Sequence, residues 1–291
     1  MPRFSVFPTF LREILLRRPL SRVPEPTMAM DGAEQVEAYA SSGRADGVMA
    51  AASLFHSALV STVIGKCATV LDLGCGPASQ LGQIAQFNPS VRFVGVELSS
   101  RMLISARSHL AELGIDNVDL RHDDITRLET VPDGSVDGVI STMTLHHLPT
   151  SADLQNCFRQ IRRVLRPGGA LYLADFGRLK AEKSVQFFAH IHQDSLPAVV
   201  VEDYVHSLRA AFDAADYRRL VAEELPGTAR VHTTFGVPFM VMIKSPGQPV
   251  AADLRARVRA LRRSLLPKFR TDLDDLRLFF RLDGMTDDPF R

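Results

Sequence analysis

The chain has 291 residues, 46% of them apolar, with a formal net charge of +1 and three cysteines. That length and composition can bury a sizeable core, so one large domain with appendages is expected. The balanced charge offers no basic excess for nucleic acid, and no uninterrupted apolar run is long enough to span a bilayer. Cys67, Cys75 and Cys157 are too few and too scattered for a disulfide framework or a metal cluster, and a cytoplasmic location is the expectation.

Residues 1–30 carry Pro2, Pro8, Pro19, Pro24 and Pro26 and five arginines, a composition that predicts no folded core. Arg17 and Arg18 follow the apolar run Ile14-Leu15-Leu16 instead of preceding it, which is the wrong order for a secretory signal. The segment reads as a flexible arm, or as sequence ahead of a start at Met28 or Met30, with an organelle-targeting peptide as the alternative. Asp31 to Ile64 reads as helical, with breaks near Ser41-Ser42-Gly43 and Asp46-Gly47.

Ala68 to Leu73 is a short apolar run of the kind that forms a buried parallel strand, and Leu81, Ile84 and Ala85 then recur at helical spacing. Between them lies Asp72-Leu73-Gly74-Cys75-Gly76-Pro77-Ala78. Gly74 and Gly76 permit positive φ and close approach of a ligand to main-chain N–H groups. Dinucleotide sites also use Gly-x-Gly here, but their third glycine is replaced by Ser79, and Asp72 would repel a pyrophosphate. A cation would be welcome beside Asp72. The next apolar strand, Val91 to Val96, ends in Glu97, whose carboxylate can accept both hydroxyls of a ribose.

This strand and turn, with Glu97-Leu98-Ser99-Ser100-Arg101-Met102-Leu103 after it, closely resemble the first motifs of the class I S-adenosylmethionine-dependent methyltransferases. The resemblance covers roughly Ala33 to Ser245. It implies an α/β, Rossmann-like seven-stranded sheet, mostly parallel with the last strand antiparallel, and helices on both faces. It implies S-adenosyl-L-methionine as cofactor, with Asp72, Gly74, Cys75 and Gly76 at its methionine end and Glu97, Leu98 and Met102 at the ribose. A helix ahead of the first strand folds over the cofactor in this family. Gln35, Tyr39, Met49 and His56 are the side chains that could reach it, and Tyr39 either covers the sulfonium by cation–π attraction or packs its helix.

Val118 to Arg121 reads as the third strand, followed by His122-Asp123-Asp124-Ile125. The family places an acid here to accept the adenine amino group. Alignment on Asp-Ile selects Asp124 and Ile125, with Asp123 as the alternative. Pro132-Asp133-Gly134-Ser135 makes a turn before the strand Val136 to Ile140, where Asp137 is structural. Thr142 lies at the place where donor meets acceptor. Leu145-His146-His147-Leu148 matches a form common in small-molecule methyltransferases, and the Asn or Asp, Pro-Pro-Tyr signature of base and amide methylation is absent. His146 and His147 serve as bases, as metal ligands, or only to shape the site. A helix over Ala152 to Leu165 stops at Arg166-Pro167-Gly168-Gly169, and Ala170 to Ala174 is the fifth strand.

Residues 178–225 hold the densest set of aromatics and imidazoles and read as an acceptor-pocket insertion. His190 and His192 stand at i and i+2, on different helix faces, with no cysteine or acid to complete a recognised ligand spacing, so no metal is expected. Thr228 to Thr234 and Pro238 to Lys244 read as the last two strands. Residues 246–291 form a linker and a basic amphipathic helix, Ala251 to Leu266, expected to dock on its own domain or a sister subunit in a homodimer. RNA, anionic lipid and a separate partner are its other readings.

Residues 31–245 are thus expected to form a methyltransferase domain that methylates an O or N atom of a small, secondary-metabolite-like molecule. His147, His190 and Tyr204 are candidates to take the acceptor's proton. Peptide and RNA acceptors, or a catalytically silent nucleotide-binding protein, are the alternatives. Neither a membrane nor nucleic acid is the expected partner.

Overall fold

Seven short β-branched or apolar runs form one sheet in a computed structural model that describes residues 4–26 and 48–291. They are β1 (Thr69–Leu73), β2 (Arg92–Glu97), β3 (Val118–His122), β4 (Val136–Thr142), β5 (Leu165–Phe176), β6 (Arg230–Thr233) and β7 (Met240–Lys244), in the order β3-β2-β1-β4-β5-β7-β6. Only β7 runs against its neighbours, pairing antiparallel with both β5 and β6. Chain order reverses between β1 and β4, so a crevice opens at their carboxyl ends, where ligands bind in such sheets.

Alternation along the strands sorts the core into two layers. Val70, Tyr172 and Met242 face one layer, while Leu71, Leu73, Leu171, Leu173, Val241 and Ile243 face the other. The first layer is covered by α2 (Ala50–Ile64), α3 (Ser79–Phe87) and α4 (Ser100–Glu112), the second by α5 (Ser151–Val164) and α8 (Ala214–Glu224). Thr150 with Asp153 and Asp213 with Asp216 form reciprocal capping boxes that start α5 and α8. A third, smaller cluster joins α6 (Glu182–Ala189) and α7 (Ala198–Ala210) to the end of β5.

The fifth strand begins earlier than the proline and glycines suggested. Leu165 already pairs with Val136, and a register shift between Val136 and Gly138 absorbs Arg166-Pro167-Gly168-Gly169 as an irregularity within the strand. His56 is also not at the cofactor crevice. It is buried in α2 with Nδ1 on the Tyr172 hydroxyl at 2.6 Å, and burial pushes it down to about 3.

The carboxyl-terminal residues belong to the same body. Here α9 (Ala252–Ser264) buries Val258, and α10 (Pro267–Leu282) buries Phe280, which stacks on Phe55 of α2 with centroids 5.7 Å apart. A buried phenylalanine contributes about 1.5–3 kcal/mol, enough to fix the pair against its own domain. Two arginines of α9 are engaged with the rest of the chain: Arg262 bonds Asp274 and Arg257 bonds the Gln86 carbonyl.

The amino-terminal segment departs most from expectation. Its described part is α1 (Phe7–Leu15) followed by an extended strap, and both are docked. Glu13 is fully buried and accepts the Lys180 N–H at 2.9 Å, and the strap bonds outward through Leu20 N–H to Leu179 O and Val23 N–H to Arg209 O. Long-range hydrogen bonds hold it, so composition gave no sign of its order. Among the described residues no helix is long and apolar enough to cross a membrane.

Candidate functional site

The turn after β1 is held tightly. Gly74 and Gly76 take φ of 68° and 54°, and the Gly74 and Cys75 N–H groups both donate to the Val96 carbonyl. A Cβ on Gly74 would lie 2.1 Å from the Thr144 methyl, whereas one on Gly76 would meet open space. Side-chain-free backbone is therefore needed at Gly74 for packing, and at Gly76 it faces the crevice. Asp72 is 6% exposed, and burial, then the charge of Glu97, push its carboxyl up to about 7. Nothing among the described residues offsets that cost, so the pocket invites a cation.

Glu97 is oriented by main chain: Oε2 accepts the Gly76 N–H at 3.0 Å and Oε1 the Ser99 N–H at 2.9 Å. Each oxygen keeps a lone pair for a ligand hydroxyl. Ser99 caps α4 by accepting the Met102 N–H, Leu98 stays exposed at the rim, and Met102 is buried beneath it. The neighbouring acids divide their work. Asp123 is buried and accepts from the N–H groups of Asp124, Glu129 and Thr130 and from the Thr130 hydroxyl. Those bonds hold its carboxyl below the usual range against the opposing effect of burial. Asp124 uses Oδ1 for Thr126. Ile125 is buried beside it. Thr142 ends β4 and donates to Gln80 Oε1 at 3.1 Å, leaving the buried Gln80 Nε2 without a partner at the start of α3.

Met143, next in the chain, has φ of 54°, a left-handed conformation that costs a non-glycine residue energy. It lines a cavity of about 250 Å³ whose wall is mostly apolar, with Met49, Phe176, Phe188, Val200, Phe239, Met240, Leu276 and Phe279 contributing. The flanking Thr144 bonds the Gly74 carbonyl, so the cavity adjoins the glycine turn. Eight residues between Phe188 and Ser207 line it, and α10 closes another side.

One end of the cavity is polar. His146 is buried, with Nδ1 on Asp175 Oδ1 at 2.7 Å, its N–H on Asp175 Oδ2 at 3.0 Å and Nε2 3.8 Å from Glu25 Oε1. His147 Nδ1 meets Glu25 Oε2, and the Ser207 hydroxyl donates to Glu25 Oε1 at 2.7 Å. Burial disfavours both charges, yet the pairing wins. The carboxyl of Glu25 is held down at about 2 by His147, His146 and Ser207, and His146 is raised by Asp175 and Glu25. The strap that delivers Glu25 is pinned by Arg22, which donates to the carbonyls of Ala210, Pro149, His146 and Leu148 and lies 3.9 Å over the Phe212 ring.

Several sequence expectations change here. His190 is exposed, its ring turned back to the Gln186 carbonyl outside the cavity, so it is no candidate for proton transfer. The imidazoles on the cavity wall are His146, His147 and His192, the last bonded to Asp272. Tyr204 does line the cavity, packed on Phe176, and burial and then Asp272 push its phenol up. Gln35 and Tyr39 lie outside the described residues. Sequence reasoning misses Glu25, Arg22 and Asp175, whereas Ser207 falls within the expected acceptor-pocket insertion, residues 178–225. A Leu-His-His run whose first imidazole is bonded by the acid ending β5 carries no local spacing to reveal it.

A family model described as a methyltransferase domain matches residues 64–221. Trans-aconitate 2-methyltransferase of Azoarcus sp. (strain BH72) is 34% identical over 113 residues, 39% of this chain and 41% of the relative. The 27-O-demethylrifamycin SV methyltransferase of Amycolatopsis mediterranei is 30% identical over 147 residues, 49% of this chain and 52% of the relative. The matches span between 30% and 52% of the length of these and two other curated relatives. The solved plantazolicin methyltransferase BpumL, in complex with SAH, shares the fold at TM-score 0.56 and 13% identity, over 82% of this chain and 88% of its own. An O-methyltransferase family protein from Burkholderia thailandensis does so at TM-score 0.53 and 16% identity, over 84% and 68%. The chain belongs to the methyltransferase-domain family, of the S-adenosylmethionine-dependent class with the seven-stranded Rossmann-like fold.

The residues fit that family's cofactor. Asp72 presents an uncompensated buried carboxylate, Gly76 leaves open space above the turn, and Glu97 keeps lone pairs directed from a fixed carboxylate.

Proposed function

We propose that the chain transfers the methyl group of S-adenosylmethionine to an oxygen or nitrogen of a small, largely apolar molecule. The observation that carries the reading is the apolar cavity of about 250 Å³ that adjoins the glycine turn through Met143 and has one polar end. Bound cofactor supplies a methyl group already activated by its sulfonium. Asp72 and the glycine turn hold the methionine end, Glu97 the ribose, and Asp124 with Ile125 the adenine. The aromatic walls take the acceptor's carbon skeleton and exclude water. Glu25, His146 and His147 then receive its heteroatom at the polar end. Alignment of two reactants can contribute up to about 7–11 kcal/mol, so positioning carries much of the catalysis. The named substrates of trans-aconitate 2-methyltransferase and of the rifamycin enzyme are small molecules, which supports this acceptor class. Arg257, Arg259 and Arg262 are engaged within the fold, which weakens the support for RNA.

The test pairs binding with turnover. Calorimetry should show S-adenosylmethionine and its demethylated product binding the native chain and losing affinity in Glu97→Ala, by about tenfold or more for two lost charge-assisted hydrogen bonds. Incubation with small-molecule extract and labelled cofactor should yield products that have gained one methyl. Tight binding of NAD in place of S-adenosylmethionine, or cofactor binding with no methylated product from any extract, overturns the reading.

A further inference from the structure

We propose that Glu25, His146 and His147 form a site for one divalent transition-metal cation of the zinc class, with an open coordination position facing the cavity. One ligand atom from each residue lies within 4.8 Å of the others. Ligand bonds of about 2.0–2.2 Å set donor atoms roughly 3.4 Å apart, so His147 and Glu25 would open slightly and the His146–Glu25 pair would close slightly, by small side-chain rotations. The donor roles fall into place around His146. Its Nδ1 lies on Asp175 at 2.7 Å, so one ring proton sits there, and Nε2, 3.8 Å from Glu25 Oε1, is the nitrogen an arriving cation would take by displacing the other. A carboxylate behind an imidazole, fixing its tautomer and raising its basicity, is the arrangement that metal-ligating histidines use. His147 brings Nδ1 to the other oxygen of the same carboxylate.

The scaffold is rigid where a metal site needs it. Asp175 grips both the ring and the main chain of His146, Ser207 holds Glu25, and Arg22 locks the carbonyls of His146, Leu148 and Pro149. Two imidazoles and one carboxylate suit zinc, cobalt or ferrous iron, whereas magnesium and calcium favour oxygen ligands. Three protein ligands leave a fourth position, and His146, His147 and Ser207 all line the cavity. Its consequence rests on the proposed function: an acceptor oxygen would complete the coordination and be fixed at the polar end. The third ligand lies 122 residues from His147, which is why no sequence spacing announced the site.

The test uses the untagged full chain after chelator dialysis. Titration with Co²⁺ should give one equivalent bound per chain, with visible ligand-field bands of a four- or five-coordinate ion, and Zn²⁺ should displace it. Glu25→Gln and His147→Gln should each abolish the bands, and Asp175→Asn should weaken binding roughly 10–100-fold, as loss of the carboxylate behind a ligand does. Affinity for S-adenosylmethionine, measured on the same samples, reports that each variant is folded. Absence of cobalt uptake by the native chain overturns the site whatever the variants do. So does unchanged uptake in Glu25→Gln and His147→Gln, since the ion would then sit elsewhere. Failure of S-adenosylmethionine to bind the native chain would instead overturn the proposed function and leave a cobalt result standing.

Discussion

Burial and the nearby charge of Glu97 push the Asp72 carboxyl up to about 7, so near neutrality the site is part neutral and part anionic. A cationic ligand seated beside it needs the anion, and its apparent affinity is scaled by the fraction of chains that carry one. With a pKa of 7 that fraction climbs from about a tenth at pH 6 to about nine-tenths at pH 8, so affinity for S-adenosylmethionine should rise about tenfold, or ~1.4 kcal/mol. The sign follows for stability as well. A carboxyl whose native pKa is raised binds its proton more tightly folded than unfolded, so stability is lost as pH climbs from the ordinary carboxylate range to about 7. Cofactor should restore that loss, and its thermal stabilisation should be larger at pH 8 than at pH 6. The assay is isothermal calorimetry across this range in buffers of different ionisation enthalpy, on native chain and Asp72→Asn. Titration belonging to the ligand persists in the variant and subtracts out, while proton release near neutrality should vanish with Asp72. Parallel pH curves for the two proteins would refute the assignment.

Three further outcomes are expected. Asp123→Ala, which strips acceptors from three N–H groups and a hydroxyl, should cost about 2–4 kcal/mol of stability, whereas Asp124→Ala should chiefly weaken cofactor binding; a larger affinity loss at Asp123, by titration of both variants, reverses the pair. Arg22→Ala should cost about 2–4 kcal/mol, less than the sum of its bonds because those carbonyls regain water. Hydrogen exchange should show it as lost protection of the Val23 amide, with the amides of β1 and β4 unchanged, and protection retained at Val23 would count against the pinning role. Tyr204→Phe should lower turnover up to about tenfold through loss of one donor while leaving cofactor affinity intact. His190→Ala should change neither, and a rate loss there comparable to that of Tyr204→Phe would mean that the cavity is not the acceptor site.

How much was legible depended on whether a feature is local. The glycine turn, the acids ending β1 and β2, and the strand alternation are set within a few residues, and the seven-stranded architecture followed from them with the family resemblance. Asp123 and Asp124 could not be separated, because the difference lies in which one faces the N–H groups of Glu129 and Thr130. His190 sits among aromatics in sequence but turns outward as the C-cap residue that follows α6, where helical spacing no longer sets its direction. The strap was missed for the opposite reason. Proline and arginine spoke for an unfolded arm, yet proline-rich extended chain suits a segment whose hydrogen bonds all go elsewhere, and one arginine serves four carbonyls.

The strap also sets an order of assembly. Arg22 and Glu25 are synthesised long before their partners, and the bond from Arg22 to Ala210 spans 188 residues. Closing so long a loop costs more than closing a short one, by about 0.6 kcal/mol per doubling of length, and such long-range contacts slow folding. The sheet can therefore be complete while the polar end of the cavity still lacks its carboxylate, and residues 20–25 can dock only once the segment ending at Phe212 is in place. Maturation of the site should then appear as a separate, slower phase after sheet formation, followed by the protection of Val23 against exchange.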